Sequence, residues 1–308
     1  MEINLFASPT NPHCAGSQSV RRQGEYMRLV TYRDRDRSTK PGVLLGEEIV
    51  DISEQVADVR TLIEEGPEAL DRLRTFLQGN TRRIPLAGVE LLAPLPNPPR
   101  IFCLGLAYRD HAIETHQEIP KVPTIFLKLR SALNGPRSTV VLPKLTQQPD
   151  YEAEFAFVIG TGGKSISAAA WEEHVFGYTI MNDVSARDVQ MATSQWSLGK
   201  SFDTFAPLGP AIVTKDEVPD PHALEIKLTI GGEVLQHSNT RELIFRIPDL
   251  IAYISAIAPL KAGDIISTGT PAGVGLGRTP HRWLRAGKTL ITEIEGLGQL
   301  ANPIVAEV

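Results

Sequence analysis

The chain has 308 residues, of which 42% are hydrophobic and 22% are charged, as is ordinary for a globular protein. Its formal net charge of −5 gives no electrostatic reason to expect a nucleic acid or an anionic membrane as a partner. The two cysteines, Cys14 and Cys103, are too few for a disulfide framework and favour a reducing, cytoplasmic setting. Since no apolar run approaches the ~18–20 residues of a membrane span, we expect no membrane association.

Three segments are predicted along the chain. Residues 1–26 are rich in Ser, Pro, Asn and Gly without sustained periodicity, and we expect them to form a flexible N-terminal extension. Residues 27–97 contain short strand patterns and one long helical pattern that Gly66-Pro67 interrupts, which predicts a small α+β domain. Four prolines between Ala93 and Arg100 then favour a stiff boundary. The rest of the chain, residues 98–308, is predicted to be a second, larger domain.

A short apolar strand at Ile101–Gly105 leads into a segment that carries His111 and Glu114. On a helix these two residues share a face, and a carboxylate beside an imidazole orients the ring and raises its basicity. Such a pair can draw a proton from water. The plainer interpretation is a surface helix in which His111 only packs or caps, and the spacing leaves both open. Because few residues of the polar run Ala107–Pro120 could anchor it in a core, we expect it to be mobile without ligand.

Acidic residues cluster around the next strand pattern. The run Asp150–Gly160 alternates in polarity, which predicts a strand with one buried face. Glu152 and Glu154 would then share a face, about 6–7 Å apart, and Asp183 stands where the following apolar strand ends. Carboxylates gathered in this way suit a hard divalent cation such as Mg²⁺ or Mn²⁺, with Ca²⁺ as an alternative. The spacing alone fits a solvated sheet face and an ordinary turn aspartate equally well.

Basic and amide side chains accompany these acids. Lys128 ends an apolar strand pattern, where a lysine ordinarily extends its amine to solvent. Arg187 and Gln190 are three residues apart, on one face of a predicted helix, and Lys200 follows in a Gly-Lys-Ser-Phe-Asp segment. Three carboxylates around a divalent ion would total a charge of about −1, so nearby cations could help to hold an anionic substrate.

These motifs resemble those of the fumarylacetoacetate hydrolase family, in the family's order, from about Arg100 to the C-terminus. They are the Glu152-x-Glu154 strand, the segment Asn182–Asp188, the block Gly199–Pro210 and the Gly-rich loop Thr268–Gly275. The segment Gly105–Glu114 is similar to the family's lid, Gly-x-Asn-Tyr-x-x-His-x-x-Glu, but Ala107 replaces the Asn. That replacement removes a side-chain donor and acceptor close to the site.

The resemblance implies an α+β, predominantly β fold, in which a mixed β-sheet roll or sandwich forms the catalytic domain after the small N-terminal domain. It also implies a homodimer and the roles of ten residues. These are the metal ligands Glu152, Glu154 and Asp183, the catalytic residues His111, Glu114 and Lys200, and the substrate-binding residues Lys128, Arg187, Gln190 and Thr270.

The activity that the resemblance implies is metal-dependent hydrolysis of a C–C bond in a 2,4-dioxo acid, an acylpyruvate- or fumarylpyruvate-like substrate. The metal would stabilise an enolate, and His111 and Glu114 would activate the attacking water. Without that water, the same chemistry gives decarboxylation of an oxaloacetate-type β-keto acid, isomerisation or hydration, all of which occur in the family. A catalytically silent relative that only binds its ligand is a further alternative, against which the retained acids and His111 argue.

Overall fold

The computed structural model describes residues 27–79 and 82–308, so the extension expected at residues 1–26 lies outside the described part. Strands predominate within it, which confirms the predicted α+β, predominantly β class. The strands are β1 (Arg28–Arg33), β2 (Thr39–Leu45), β3 (Glu48–Asp51), β4 (Arg83–Pro85), β5 (Glu90–Leu92), β6 (Ile101–Gly105), β7 (Thr124–Lys128), β8 (Leu133–Asn134), β9 (Val140–Leu142), β10 (Pro149–Asp150), β11 (Ala153–Ile159), β12 (Val175–Asn182), β13 (Ser185–Ala186), β14 (Ala206–Thr214), β15 (Glu225–Ile230), β16 (Glu233–Asn239), β17 (Ile265–Ser267), β18 (Thr289–Ile294) and β19 (Gly298–Ala306).

Helices are short and few by comparison. The α-helices are α1 (Val59–Glu65), α2 (Pro67–Leu77), α3 (Arg109–Glu114), α4 (Trp171–His174), α5 (Arg187–Gln190) and α6 (Ile247–Ile257). Single 3₁₀ turns occur at Leu86–Gly88, Arg130–Ala132, Ala168–Ala170, Lys215–Glu217 and Thr240–Glu242. The predicted interruption at Gly66-Pro67 is confirmed: Gly66 separates α1 from α2 with a φ of +78°, and Pro67 opens α2, where no backbone N–H is needed.

A 12-stranded sheet runs through the molecule in the order β4-β3-β2-β1-β14-β12-β11-β17-β6-β7, with β5 paired to β1 and β8 to β14. A second sheet has the order β16-β15-β18-β19-β9, and β10 pairs with β13 alone. The N-terminal strands join the large sheet because β1 pairs antiparallel with β14. The boundary between residues 27–97 and 98–308 stays a prediction, since strands from both sides share this sheet.

Strand β11 lies deep inside the molecule and is buried on both faces. Phe155 and Phe157 pack in one apolar cluster, whereas Ala156 and Val158 pack in another. The prediction of a single buried face is therefore wrong, because apolar layers cover both sides of the sheet at this strand. Glu154, which belongs to the same strand, consequently lies in a dry environment where a charge is costly without a partner.

Glu217, in the 3₁₀ turn after β14, couples stability to pH. Burial is the main cause that raises the pKa of Glu217 to about 8 from an ordinary value of 4.5, and Oε1 accepts a hydrogen bond from the Met27 N–H. Between these two pH values the folded protein holds a proton that the unfolded chain has released, so the free energy of unfolding falls as the pH rises.

We expect Glu217→Gln to remove this loss, since glutamine is neutral and keeps an acceptor for Met27. Urea denaturation at several pH values should show the variant gaining stability over the wild type as the pH rises from about 5 to about 8. A difference that stays constant with pH would contradict the assignment.

Candidate metal centre and active site

Three carboxylates meet where β11 begins and β12 ends. Glu154 lies within β11, Glu152 just before it and Asp183 directly after β12, and these strand ends are paired in register. One oxygen from each acid lies within 4.8 Å of an oxygen from the others. The exposed fractions of Glu152, Glu154 and Asp183 are 6%, 0% and 0%. The structure therefore brings the three predicted metal ligands together in a buried position.

Glu154 presents an oxygen that lacks a protein partner. Its Oε2 accepts hydrogen bonds from the Ser267 hydroxyl and, at 3.2 Å, from Gly269 N. Its Oε1 is buried, yet nothing in residues 27–79 and 82–308 hydrogen-bonds it. Leaving a buried carboxylate oxygen unpaired costs free energy, so such atoms ordinarily have a partner. A divalent cation shared by three acids would supply one, and the residues present thus fit the metal that the sequence predicts.

The charge balance of the acids favours the same interpretation. Burial raises the pKa of Glu154 well above its ordinary value, and the charges of Asp183 and Glu152 raise it further. Burial alone would also raise the pKa of Glu152, but Lys200 and Arg187 together lower it to about 2. Cationic neighbours therefore outweigh the repulsion between the carboxylates at Glu152, whereas Lys200 and Ser267 only partly offset burial and repulsion at Glu154.

Two buried lysines hold Asp183. Lys128 Nζ donates to Asp183 Oδ1 at 2.5 Å and to Val184 O at 3.2 Å. Lys200 Nζ donates to Asp183 Oδ2 at 2.9 Å and to Glu152 Oε2 at 2.6 Å. Lys128 is 3% exposed, so the plainer interpretation of an amine that extends to solvent is wrong. Both lysines therefore lie at the three acids.

The three other predicted substrate-binding residues, Arg187, Gln190 and Thr270, line one cavity together with Glu152. Arg187 and Gln190 lie on α5, where Arg187 Nη1 donates to Gln190 Oε1 at 3.0 Å. Thr270 comes from the Gly-rich loop after β17, and its Oγ1 accepts from Gln236 Nε2 at 2.8 Å. Since a hydroxyl both donates and accepts, the Thr270 proton is left for another acceptor.

Helix α3 carries the predicted His–Glu pair. His111 Nδ1 lies 3.2 Å from Glu114 Oε2, while Glu114 Oε1 accepts from Gly273 N at 2.9 Å. Asp110, on the same helix, accepts a hydrogen bond from the Ser238 hydroxyl at 2.5 Å. Because His111 also lines the cavity, its Nε2 is the ring nitrogen that remains for a substrate or a water molecule.

The lid is better anchored than its polar sequence suggests. Ala107, Tyr108 and Ala112 are all buried, and Ala107 O accepts from Ile244 N at 2.8 Å. The premise that few residues anchor this run is therefore wrong for its first half. Ala107, which replaces the family Asn, packs closely on the Gly-rich loop: a Cβ at Gly269 would lie 2.6 Å from Ala107 Cβ. The small side chains at both positions let the two backbones approach.

The cavity has a volume of about 110 Å³ and includes residues that sequence reasoning missed. Trp196 forms one wall and packs edge-on against Phe126, with ring centroids 5.7 Å apart. Gly105 leaves room for that ring, since a Cβ there would come within 2.2 Å of it. Gln117 on the lid adds an amide. No motif or periodicity marks Trp196 or Gln117, because only the folded chain brings them to the cavity.

Comparison with known proteins decides the family. The sequence profile of the fumarylacetoacetate (FAA) hydrolase C-terminal family matches residues 100–305. The chain belongs to this family. An oxaloacetate tautomerase from Xenopus laevis, fahd2, whose name describes it as mitochondrial, is 42% identical over 288 residues, which are 91% of this chain and 90% of the relative.

Two solved structures share the family fold. Fumarylacetoacetate hydrolase from Exiguobacterium antarcticum has a TM-score of 0.80 and 36% identity, covering 91% of this chain and 100% of that one. Maleylpyruvate hydrolase from Sphingobium sp. SYK-6, in complex with manganese(II) and pyruvate, has a TM-score of 0.78 and 32% identity, covering 92% and 100%. The family resemblance and the fumarylacetoacetate hydrolase fold are thus confirmed, and the members of this family are enzymes. The manganese complex and the buried acids together fit divalent-metal binding.

Proposed function

We propose that the protein is a divalent-metal-dependent enzyme that interconverts the keto and enol forms of a short 2-oxo dicarboxylate such as oxaloacetate. The observation that carries this proposal is the unpartnered Glu154 oxygen among three buried acids, next to the cavity that His111 lines. The 42% identity to a protein named oxaloacetate tautomerase supports the choice of reaction. When bound by Glu152, Glu154 and Asp183, Mg²⁺ or Mn²⁺ would act as a Lewis acid toward the oxygens of the 2-oxo acid.

Cationic side chains make the cavity suitable for a dicarboxylate. Lys200 and Arg187 line it, and Thr270 adds a hydroxyl donor, so two carboxylate groups can find charge-assisted hydrogen bonds.

His111 is the residue that we assign to proton transfer. In the keto direction the enol hydroxyl loses its proton, the C2–O bond becomes double and C3 gains a proton. With Nδ1 held by Glu114, the other ring nitrogen can take the first proton and deliver it to C3, which returns the imidazole to its starting state. Lys200, which is buried at the acids, stabilises the negative charge on the substrate oxygen during the transfer.

Hydrolysis of an acylpyruvate is the second candidate. The His111–Glu114 pair favours it as well, since a base held by a carboxylate can activate a water for attack on a 4-oxo carbon. The maleylpyruvate hydrolase at 32% identity supports this alternative. Decarboxylation of oxaloacetate needs no activated water and is a third outcome that the same assays detect.

A substrate panel on one purified preparation with Mg²⁺ or Mn²⁺ separates these reactions. It follows the ultraviolet absorbance of enol-oxaloacetate, the release of CO₂ from oxaloacetate and the hydrolysis of acetylpyruvate. We expect the enol absorbance to decay well above the uncatalysed rate, with little CO₂ release. Hydrolysis of acetylpyruvate without any acceleration of enol decay would reject the proposal in favour of the second candidate.

Partners and location remain proposals. We propose a homodimer, and light scattering at micromolar concentration can distinguish it from a monomer. We expect no nucleic acid or membrane partner. In the described part of the chain, no helix has both the length and the apolar composition for a bilayer crossing. The cytoplasmic setting stays a prediction from composition. Because the Xenopus relative is named as mitochondrial, fractionation should test mitochondria as well as the cytoplasm.

A further inference from the structure

We propose that Asp150 is a positioning residue, which holds Arg187 and thereby sets the affinity of the site for a substrate carboxylate. The inference rests on the proposed function for the kind of substrate, whereas its geometry stands independently. Asp150 is fully buried and lies two residues before Glu152. Arg187 lines the cavity, but Asp150 lies behind it, so any effect of Asp150 on a ligand must pass through its neighbours.

The Asp150 carboxylate connects two walls of the site. Its Oδ2 accepts from Arg187 Nε at 2.8 Å, and Arg187 Nη2 lies 2.8 Å from the same oxygen. Its Oδ1 accepts from Gly275 N at 2.7 Å, and Oδ2 also accepts from Leu276 N at 3.0 Å. One buried carboxylate therefore fixes both the guanidinium and the end of the Gly-rich loop, together with the next residue, Leu276, which lines the cavity.

Nearly all of the N–H donors of the Arg187 guanidinium already have a hydrogen-bond partner. A guanidinium has five N–H donors in one plane, and in Arg187 the Nε edge faces Asp150. Nη2 also lies 2.6 Å from Glu152 Oε1, and Nη1 donates to Gln190 Oε1 at 3.0 Å. The second Nη1 hydrogen is the donor left for a carboxylate in the cavity. The direction of this N–H depends on the plane of the guanidinium, and Asp150 holds that plane through its contacts with Nε and Nη2.

Backbone geometry places Asp150 independently of any ligand. Strand β10 pairs with β13, which sets Asp150 opposite Ser185, two residues before Arg187. On the other side, a Cβ at Gly275 would lie 2.5 Å from Asp150 Oδ1 and 2.1 Å from Arg282 O, so a glycine is required for the loop to close on the carboxylate. A binding group supported in this way by a second layer of side chains is preorganised for its ligand.

Asp150→Asn tests the role of the charge. Asparagine keeps one acceptor for Gly275 N but cannot present a second carboxylate oxygen to Arg187 and Leu276. Since an ionic hydrogen bond of this kind changes an equilibrium by about 10- to 100-fold, we expect the variant to raise the Kd for oxalate and the KM for enol-oxaloacetate by that factor. The probe is oxalate, titrated calorimetrically into the Mn²⁺-loaded protein. Manganese content and kcat should change far less.

Asp264 offers a matched control for loss of a buried carboxylate. It is also fully buried, pairs with Arg100 Nε at 3.0 Å and accepts from Lys261 N at 2.7 Å, but it does not line the cavity. We expect Asp264→Asn to lower thermal stability without changing the Kd for oxalate. A purely structural role of Asp150 would give the same pattern, namely a lower Tm with unchanged oxalate affinity, and would overturn the proposal.

A double-variant cycle tests whether Asp150 acts through Arg187. Arg187→Lys keeps the charge but removes the planar fork, so adding Asp150→Asn to it should weaken oxalate binding by no more than about twofold. If the free-energy changes of the two single variants add fully in the double variant, Asp150 does not act through Arg187 and the assignment is overturned.

If Asp150→Asn does not fold, Asp150→Glu gives the same comparison, in which unchanged oxalate affinity overturns the proposal. A wild type that binds oxalate without ketonising enol-oxaloacetate would reject the proposed function alone, since the oxalate Kd still tests Asp150.

Discussion

Glu154→Gln is expected to abolish tight divalent-cation binding while leaving the fold intact. Glutamine keeps the shape of the side chain and an oxygen for Ser267 and Gly269, but it replaces the unpartnered anionic Oε1. The loss of a direct ligand should exceed the roughly 10- to 100-fold that removal of a supporting hydrogen bond costs in metal affinity. Since a Lewis acid supplies several kcal/mol to the transition state, kcat/KM should fall by about 10³-fold or more. Calorimetric titration with Mn²⁺ measures the first effect.

The stability of the metal-free protein provides the control. Removing one of three neighbouring carboxylate charges relieves repulsion, so metal-free Glu154→Gln should unfold at the same temperature as the metal-free wild type or higher. Asp183→Ala is a less selective test, because Lys128 and Lys200 both donate to Asp183 and would lose a buried partner. Unchanged Mn²⁺ affinity in Glu154→Gln would contradict the metal centre.

His111→Ala is expected to lower kcat for enol ketonisation by about 10²- to 10⁴-fold, the usual share of general acid–base catalysis. Mn²⁺ affinity should be retained, since His111 is not among the three clustered acids. A matched control is His237→Ala, because His237 Nε2 lies 3.0 Å from Glu225 Oε2 in an exposed pair on the β15–β16 hairpin. That variant removes a His–Glu contact of the same kind and should leave kcat unchanged.

The same His111→Ala sample distinguishes the candidate reactions. Hydrolysis of an acylpyruvate requires an activated water and should fall with ketonisation, whereas any decarboxylation of oxaloacetate should survive, because it needs no water. Ketonisation at the wild-type rate would contradict the proton-transfer role, and full hydrolysis of acetylpyruvate would show that the pair does not activate water.

Short-range rules made the acid cluster a candidate from the sequence, but the spacing fitted a solvated sheet face equally well, and only the family resemblance implied a metal site. Alternation along a strand puts Glu152 and Glu154 on one face, and Asp183 directly follows the strand that pairs with it. The same alternation could not show that β11 is buried on both faces, since that depends on which layers cover the sheet. Amphipathic patterns report the polarity of a residue's neighbours in sequence, and a second apolar layer comes from elsewhere in the chain.

Long-range contacts account for what sequence reasoning missed. The sequence predicts an unanchored lid because its anchor is a long-range contact. Ala107 O accepts a hydrogen bond from Ile244 N, far along the chain, and no local pattern indicates that contact. Asp150 stands beside the recognised Glu-x-Glu motif, yet its partners Arg187 and Gly275 lie 37 and 125 residues away. Asp150 contacts both of these partners only when strand pairing brings them together in the folded site.

The proposed function requires a divalent cation at the three acids for keto–enol interconversion. The most direct test is the rate of enol-oxaloacetate ketonisation by EDTA-stripped wild-type protein, before and after addition of Mg²⁺ or Mn²⁺. We expect the stripped protein to be no faster than buffer and the metal-loaded protein to regain its full rate. A stripped protein that keeps the full rate, or one that neither cation activates, would contradict the proposed metal requirement.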